Sequence, residues 1–281
     1  MASPALVTTP PPTTHVLLTY PSPYTLLVTI NRARQMNSIT YACHTEMGQV
    51  FEWFDHEPNL RVAVITGAGT KAFCAGQDLI ELGKIRSGEV QLAPELRRHP
   101  PGGFGGLSRR AGRKPVVAAV NGVALGGGFE IVLNCDMVVA SPTTLFGFPE
   151  ALRGIYAAGG GPARLVRTVG LPIASEIALT GRPITAQRAH QLNLVNRISA
   201  APATVLDEAL TLANGIASLS PDAAIVTRAG LRAAWETGSV ERATQMVLER
   251  YEWALNEGEN ALEGLRAFGE KREPQWKASK L

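Results

Sequence analysis

A chain of 281 residues, 45% hydrophobic and 18% charged, has the make-up of an ordinary globular protein and enough length to shield a reactive site within a core. Its formal net charge is +3 with the cations dispersed, and the densest cluster, "LSRRAGRK" at 107–114, has no interleaved aromatic residues, which argues against nucleic acid and leaves room for a small polyanionic ligand. Cys43, Cys74 and Cys135 form no CxxC pair, so they read as small apolar fillers in a reducing compartment, and no apolar run reaches the roughly 18 residues of a membrane span.

Residues 1–14, "MASPALVTTPPPTT", hold neither a cation nor a signal-like apolar run and read as a disordered arm. "HVLLTYPSPYTLLVTINR" (15–32) predicts two strands around a Pro-Ser-Pro turn. Met47, Val50, Phe51 and Phe54 recur at helical spacing within 39–55. "RVAVITGAG" (61–69) predicts a buried strand ending in glycines, and the Gly-, Pro- and Arg-rich stretch 83–113 predicts a loop or mobile segment. "KPVVAAVNGVA" predicts a second strand, three glycines follow, and a helix starts near Phe129. "DMVVASPTTLFGFPE" is a third strand with a turn, and a helix and a short strand at Leu194–Ile198 follow the Gly-rich stretch 154–161.

From Ala203 onward three amphipathic helices are expected, broken near Ser220-Pro221 and Asn256–Gly258. The organisation is therefore an arm at 1–14, an α/β core at 15–200, a helical region at 201–272 and a tail at 273–281. The tail closes on Ser279-Lys280-Leu281, the form of a receptor-read peroxisomal address, so the expectation is a peroxisomal protein that meets an import receptor.

Several chemistries fall away. Gly67-Ala68-Gly69 after a strand resembles the opening of a dinucleotide fingerprint, but the acid that should follow on a second strand is missing. No GxSxG elbow occurs, and the five histidines lie in no catalytic or metal-binding motif. Two Gly-rich turns and two carboxylates remain. The turns are Ala75-Gly76-Gln77-Asp78 and Gly126-Gly127-Gly128, whose backbone N–H groups suit a developing oxyanion. The acids are Glu130 and Glu150, twenty residues apart. They fit general acid–base work and equally fit first-turn helix acids favoured by the dipole.

The stretches "INRARQMNSI", "VAVITGAGTKAFCAGQDL", "KPVVAAVNGVALGGGFEIVLNCDMVVAS", "FGFPEALRGI" and "LTGRPITAQRAHQLNLVNRI" follow one another as they do in the crotonase superfamily, and the chain resembles enoyl-CoA hydratases and isomerases from about Val16 to Arg272. The pairing of "LGGGFE" with "FGFPE" is the specific part of the match. The resemblance implies a crotonase-like α/β spiral of ββα units and a C-terminal helical trimerisation region, giving a homotrimer or hexamer. It implies hydration of a trans-2-enoyl-CoA to the 3-hydroxyacyl-CoA, or the reverse. The thioester oxygen would be held by the N–H groups of Gln77 and Gly127, water activated by Glu130 and the C2 proton exchanged by Glu150. An isomerase would need mainly Glu150, and a non-catalytic acyl-CoA binder is the remaining alternative.

The same resemblance implies substrate contacts at Arg34, Ala75, Asp78, Tyr156, Ala158, Phe268 and Lys271. It implies no metal and no cofactor, coenzyme A being part of the substrate. Three positions depart from the family pattern. Gln77 stands where many hydratases have Ala, with its backbone N–H unchanged. Ala157-Ala158 replace a Pro-Gly. Asn193 replaces a Gly, in keeping with the tolerance of Asn for the left-handed region.

Overall fold

The apolar runs of the first two thirds of the chain become two sheets, and the chain passes from one sheet to the other at each turn of a spiral. The computed structural model describes residues 6–281, the Glu95 side chain excepted. β1 (Val16–Ser22) and β2 (Thr25–Ile30) form the expected antiparallel hairpin, followed by α1 (Tyr41–His56), β3 (Val62–Gly67), β4 (Ala72–Cys74) and α2 (Leu79–Arg86). Next come β5 (Val116–Val120), β6 (Val123–Leu125), α3 (Gly127–Asn134), β7 (Met137–Ala140) and β8 (Leu145–Gly147). The core closes with α4 (Gly161–Val169), α5 (Leu171–Thr180), β9 (Ile184–Thr185), α6 (Ala186–Gln191) and β10 (Arg197–Ile198). One sheet runs β1-β2-β3-β5-β7-β10, parallel except for the hairpin; the other runs β4-β6-β8-β9, parallel except for β8 and β9.

Parallel strands covered on both faces read as unbroken apolar runs, and β3 and β5 are buried throughout. Alternate residues serve opposite faces. Ala63, Ile65, Ala118 and Val120 join the main core, which also takes Cys43, Met47, Val50, Phe51 and Phe54 of α1. Val62, Val64, Val117 and Ala119 face the other way and pack on α7 (Val205–Ala217) through Val205, Ala209, Ala213 and Ala217, a stripe at four-residue spacing.

The run expected as one strand at 114–124 is two, because Asn121-Gly122 turns the chain from the first sheet to the second. Asn121 Nδ2 donates to Gly67 O (2.8 Å) and Gly69 O (2.7 Å), and its Oδ1 accepts from Gly67 N (3.2 Å). A Cβ at Gly122 would lie 2.4 Å from the Lys71 carbonyl carbon, so the corner is closed against the turn that leads into β4. The next run likewise splits into β7 and β8.

Three further expectations change. The segment 83–113 contains the end of α2 and short 3-10 turns at Pro94–Arg97 and Phe104–Gly106, and its second half carries buried Phe104, Leu107, Ser108 and Arg110. Arg110 is pinned by an ion pair to Asp55 of α1. The C-terminal region has four helices instead of three, α7 being followed by α8 (Pro221–Glu236), α9 (Val240–Asn256) and α10 (Glu259–Glu270). The overlooked break lies at Thr237-Gly238-Ser239, where Ser239 Oγ accepts from Arg242 N (3.2 Å) and starts a new helix. Residues 6–14 of the arm are fastened to α1 and its end: Glu57 accepts from Val7 N (3.1 Å) and Thr8 N (2.7 Å), and Glu46 from Thr14 N (2.9 Å). Residues 1–5 lie outside the described residues.

The tail returns to the body. Trp276 Nε1 donates to Ser218 O (2.9 Å) and Lys277 N to Asn260 Oδ1 (2.9 Å); Lys280 pairs with Glu259, and Arg113 meets the Leu281 carbonyl. Among the described residues no single helix is long and apolar enough to cross a membrane.

Candidate active site

The three glycines before Glu130 each admit a different neighbour. A Cβ on Gly126 would lie 2.7 Å from Glu150 Oε1, one on Gly127 2.4 Å from Phe104 Cζ, and one on Gly128 2.2 Å from Cys74 O. Gly126 also has φ +55°, a conformation that a side chain makes costly. Close approach at these glycines is thus made first by the protein itself: a carboxylate, a ring and the end of β4 all crowd the start of α3.

The other Gly-rich turn meets this one. Gly76 has φ +95°, and its missing Cβ would be 3.3 Å from Gly127 N. The turn is held by a single parallel bridge from Ile39, which donates to Gly76 O (2.9 Å) and accepts from Asp78 N (3.0 Å). Such a bridge engages the residues on either side and leaves the Gln77 N–H uncommitted. Gly127 opens α3, where the first N–H groups have no intrahelical acceptor. Two backbone donors therefore stand at adjoining turns.

Glu130 is 2% exposed, and both its oxygens are held: Oε2 accepts from Gly159 N (3.0 Å) and Oε1 from Gly161 N (2.9 Å), at the start of α4. Burial raises its pKa, while these two bonds and the charge of Arg164 pull the other way. Glu150 follows Pro149 at the head of a 3-10 turn, and its Oε2 is buried without a partner among the described residues. Burial pushes its carboxyl up to about 7, with the Glu130 charge adding to the rise and its own backbone N–H opposing it. One acid is clamped on both oxygens, and the other has one oxygen without a partner and keeps its proton up to about pH 7.

Gln77 is also held from behind. Gly105 N donates to His44 Nδ1 (2.9 Å), so the neutral ring carries its proton on Nε2 and donates it to Gln77 Oε1 (2.9 Å). Burial lowers the His44 pKa to about 3, which keeps the ring neutral; the Gln77 bond opposes that shift. The ring is wedged edge-on against Phe104 and tilted against His99.

A cavity of about 440 Å³ brings together Ala75, Gln77, Gly127, Glu130, Glu150, Tyr156 and Ala158, all expected from the sequence. Four other expected contacts are not at the cavity. Asp78 caps α2 by accepting from Ile80 N and Glu81 N (3.1 Å each) and takes Arg32 Nη2 at 2.7 Å, so it is scaffold. Arg34 is exposed in the turn Ala33–Gln35, Phe268 is 86% exposed on α10, and Lys271 is exposed just beyond it. Sequence reading missed Gly159 and Gly161, His44 and Phe104. The first two carried a signal, since a Gly run followed by Pro162 marks a helix start with free N–H groups.

A family model described as "Enoyl-CoA hydratase/isomerase" matches residues 25–279. A mevalonyl-coenzyme A hydratase of Beauveria bassiana is 44% identical over 275 residues, covering 96% of this chain and 98% of that protein. A carnitinyl-CoA dehydratase of Proteus mirabilis is 39% identical over 246 residues, covering 86% and 90%. The crystal structure of an enoyl-CoA hydratase from Bacillus anthracis is similar with a TM-score of 0.85 and 33% identity, over 95% of this chain and 100% of that one.

These relatives overturn the peroxisomal expectation. The similarity extends to bacterial proteins, from cells that have no such organelle. No import receptor is assigned to the chain.

Proposed function

The chain belongs to the enoyl-CoA hydratase/isomerase family, and from that premise we propose that it adds water to, or removes water from, the C2–C3 bond of a coenzyme A thioester. The observation that carries this reading is the meeting of two buried-facing carboxylates, Glu130 and Glu150, with two uncommitted N–H groups in one cavity. The thioester oxygen sits between the N–H groups of Gln77 and Gly127, which stabilise the enolate that forms as the β-carbon is attacked. Gly159 and Gly161 occupy one lone pair on each Glu130 oxygen and leave others for water.

In hydration the water oxygen bonds to C3, its proton passes to Glu130, and Glu150 gives its proton to C2. Dehydration reverses both transfers. In either direction the pair of acids carries one proton. Coenzyme A belongs to the substrate, and no other cofactor takes part. The acyl group is in the class of the mevalonyl and carnitinyl groups named in the relatives, short and substituted, which suits a cavity of about 440 Å³. The assembly is a homotrimer or hexamer built through the C-terminal helices.

Glu130→Gln and Glu150→Gln test the reading. Each should lower turnover of a 2-enoyl-CoA by at least about 10²-fold, and the double variant by less than the product, because both act in one transition state. Loss of the conjugated thioester absorbance is the readout. If Glu130→Gln keeps wild-type turnover on a 3-enoyl-CoA while Glu150→Gln does not, the protein is an isomerase; if neither acid matters on any thioester, the site is not catalytic.

A further inference from the structure

We propose that the side-chain amide of Gln77 selects acyl groups carrying a neutral oxygen acceptor, a hydroxyl above all, a few bonds from the thioester. The inference rests on the reading of this cavity as an acyl-CoA site and adds what that site demands of the acyl group. Gln77 Nε2 is buried and has no hydrogen-bond partner among the described residues, although its residue lines the cavity. A buried amide donor without an acceptor is costly, so it marks a place where a ligand supplies one.

The donor cannot turn away. Gly105 N–H fixes His44 Nδ1 as an acceptor, the ring proton therefore sits on Nε2, and that proton requires the Gln77 oxygen on its side. Rotating the amide by half a turn would set two donors against each other. Phe104 and His99 hold the imidazole in place, with ring centroids 4.5 and 4.7 Å away. The chain Gly105, His44, Gln77 thus fixes which way the amide is turned and leaves its Nε2 pair unpartnered within a residue that lines the cavity.

Position and charge narrow the partner. The backbone N–H of Gln77 takes the thioester oxygen, so its side chain reaches acyl atoms only a few bonds further on. The cavity already holds Glu130 and Glu150, which disfavours a carboxylate on the acyl group. His44 and His99, whose pKa values burial lowers, add no cation there, and the two arginines of the lining, Arg86 and Arg153, are exposed to solvent. A plain alkyl chain would leave the donor unsatisfied. A hydroxyl satisfies it without a charge.

Binding of saturated thioesters, which cannot react, separates this inference from the chemistry. By titration calorimetry the wild-type protein should bind 4- or 5-hydroxypentanoyl-CoA about tenfold to a hundredfold more tightly than pentanoyl-CoA. Gln77→Met, close in shape but without the donor, should bring the ratio to about one. Gln77→Leu provides the same test should the first variant fold poorly, as far-UV circular dichroism would reveal. Equal wild-type affinities for the three thioesters, or a preference that survives in both variants, overturns the proposal. A wild-type preference with no turnover of the matching 2-enoyl thioesters would leave the proposal standing and remove the hydration reading instead.

Discussion

Glu150 keeps its proton to an unusually high pH because its carboxyl is buried beside a second acid and has one oxygen without a partner. If the pair must carry one proton, kcat/KM should fall as pH rises through about 7, where Glu150 ionises. Because hydration and dehydration use the same protonation state of the pair, both directions should show that limb. A kcat/KM profile flat from about pH 6 to about pH 9 would exclude Glu150 as the proton carrier. Gly126→Ala should be worse than an ordinary glycine substitution. It forces a side chain into φ +55° and onto Glu150 Oε1, a strain of order 1–3 kcal/mol that denaturant unfolding would register. Turnover should drop as well, since the carboxyl must move. Much of this site was legible: a triple glycine ahead of one acid and a Pro before the other identify unusual backbone, and Asn193 indeed sits at φ +60°. Asp78 was not legible, because an acid after a Gly turn serves equally as a helix cap. Nor was the clamp on Glu130, which depends on glycines 29 and 31 residues away coming back beneath it.

Helices α3 and α8 are joined through one carboxylate. Asp136, between α3 and β7, accepts from Arg228 Nε (2.9 and 3.0 Å), Arg232 Nη2 (3.0 Å) and Val116 N (2.9 Å). Burial alone would raise its pKa, but the charges of Arg228 and Arg232 outweigh that and hold it below the usual carboxylate range. Removing Arg228 leaves Asp136 with Arg232 and Val116 N only, so Arg228→Ala should lose about 1–3 kcal/mol in denaturant unfolding, less than a fully orphaned buried charge would cost. The sign with pH follows. A depressed pKa contributes stability that is present above the unfolded value near 4 and is lost as pH falls through the folded one. Acid unfolding of the wild type should therefore begin below about pH 4, and Asp136→Asn should flatten that dependence. The helices themselves were legible from their spacing, whereas this junction joins residues 92 apart and leaves no local pattern.

At the scale of the whole molecule, the C-terminal helices expose Leu231 of α8, Met246, Leu248 and Trp253 of α9, and Leu265 and Phe268 of α10. Exposed apolar side chains on these three helices are what the proposed assembly would cover. Light scattering should report three or six subunits of 29.9 kDa, and a monomer alone would refute the assembly proposed above. Strand positions were readable as apolar runs, but the two-sheet spiral was not, because the corner at Asn121-Gly122 lies inside such a run and its meaning comes from Gly67, Gly69 and Lys71. That corner also bears on how the protein ages. In an unstructured peptide with asparagine followed by glycine, the glycine nitrogen readily attacks the asparagine side-chain carbonyl and expels ammonia, and water then opens the cyclic imide to aspartate or isoaspartate. Here the amide of Asn121 is committed to three backbone groups, two of Gly67 at the end of β3 and one of Gly69 just beyond it, so its chemical clock runs only while the corner is open. Aspartate appearing at residue 121 during storage would count the openings of the junction between the two sheets.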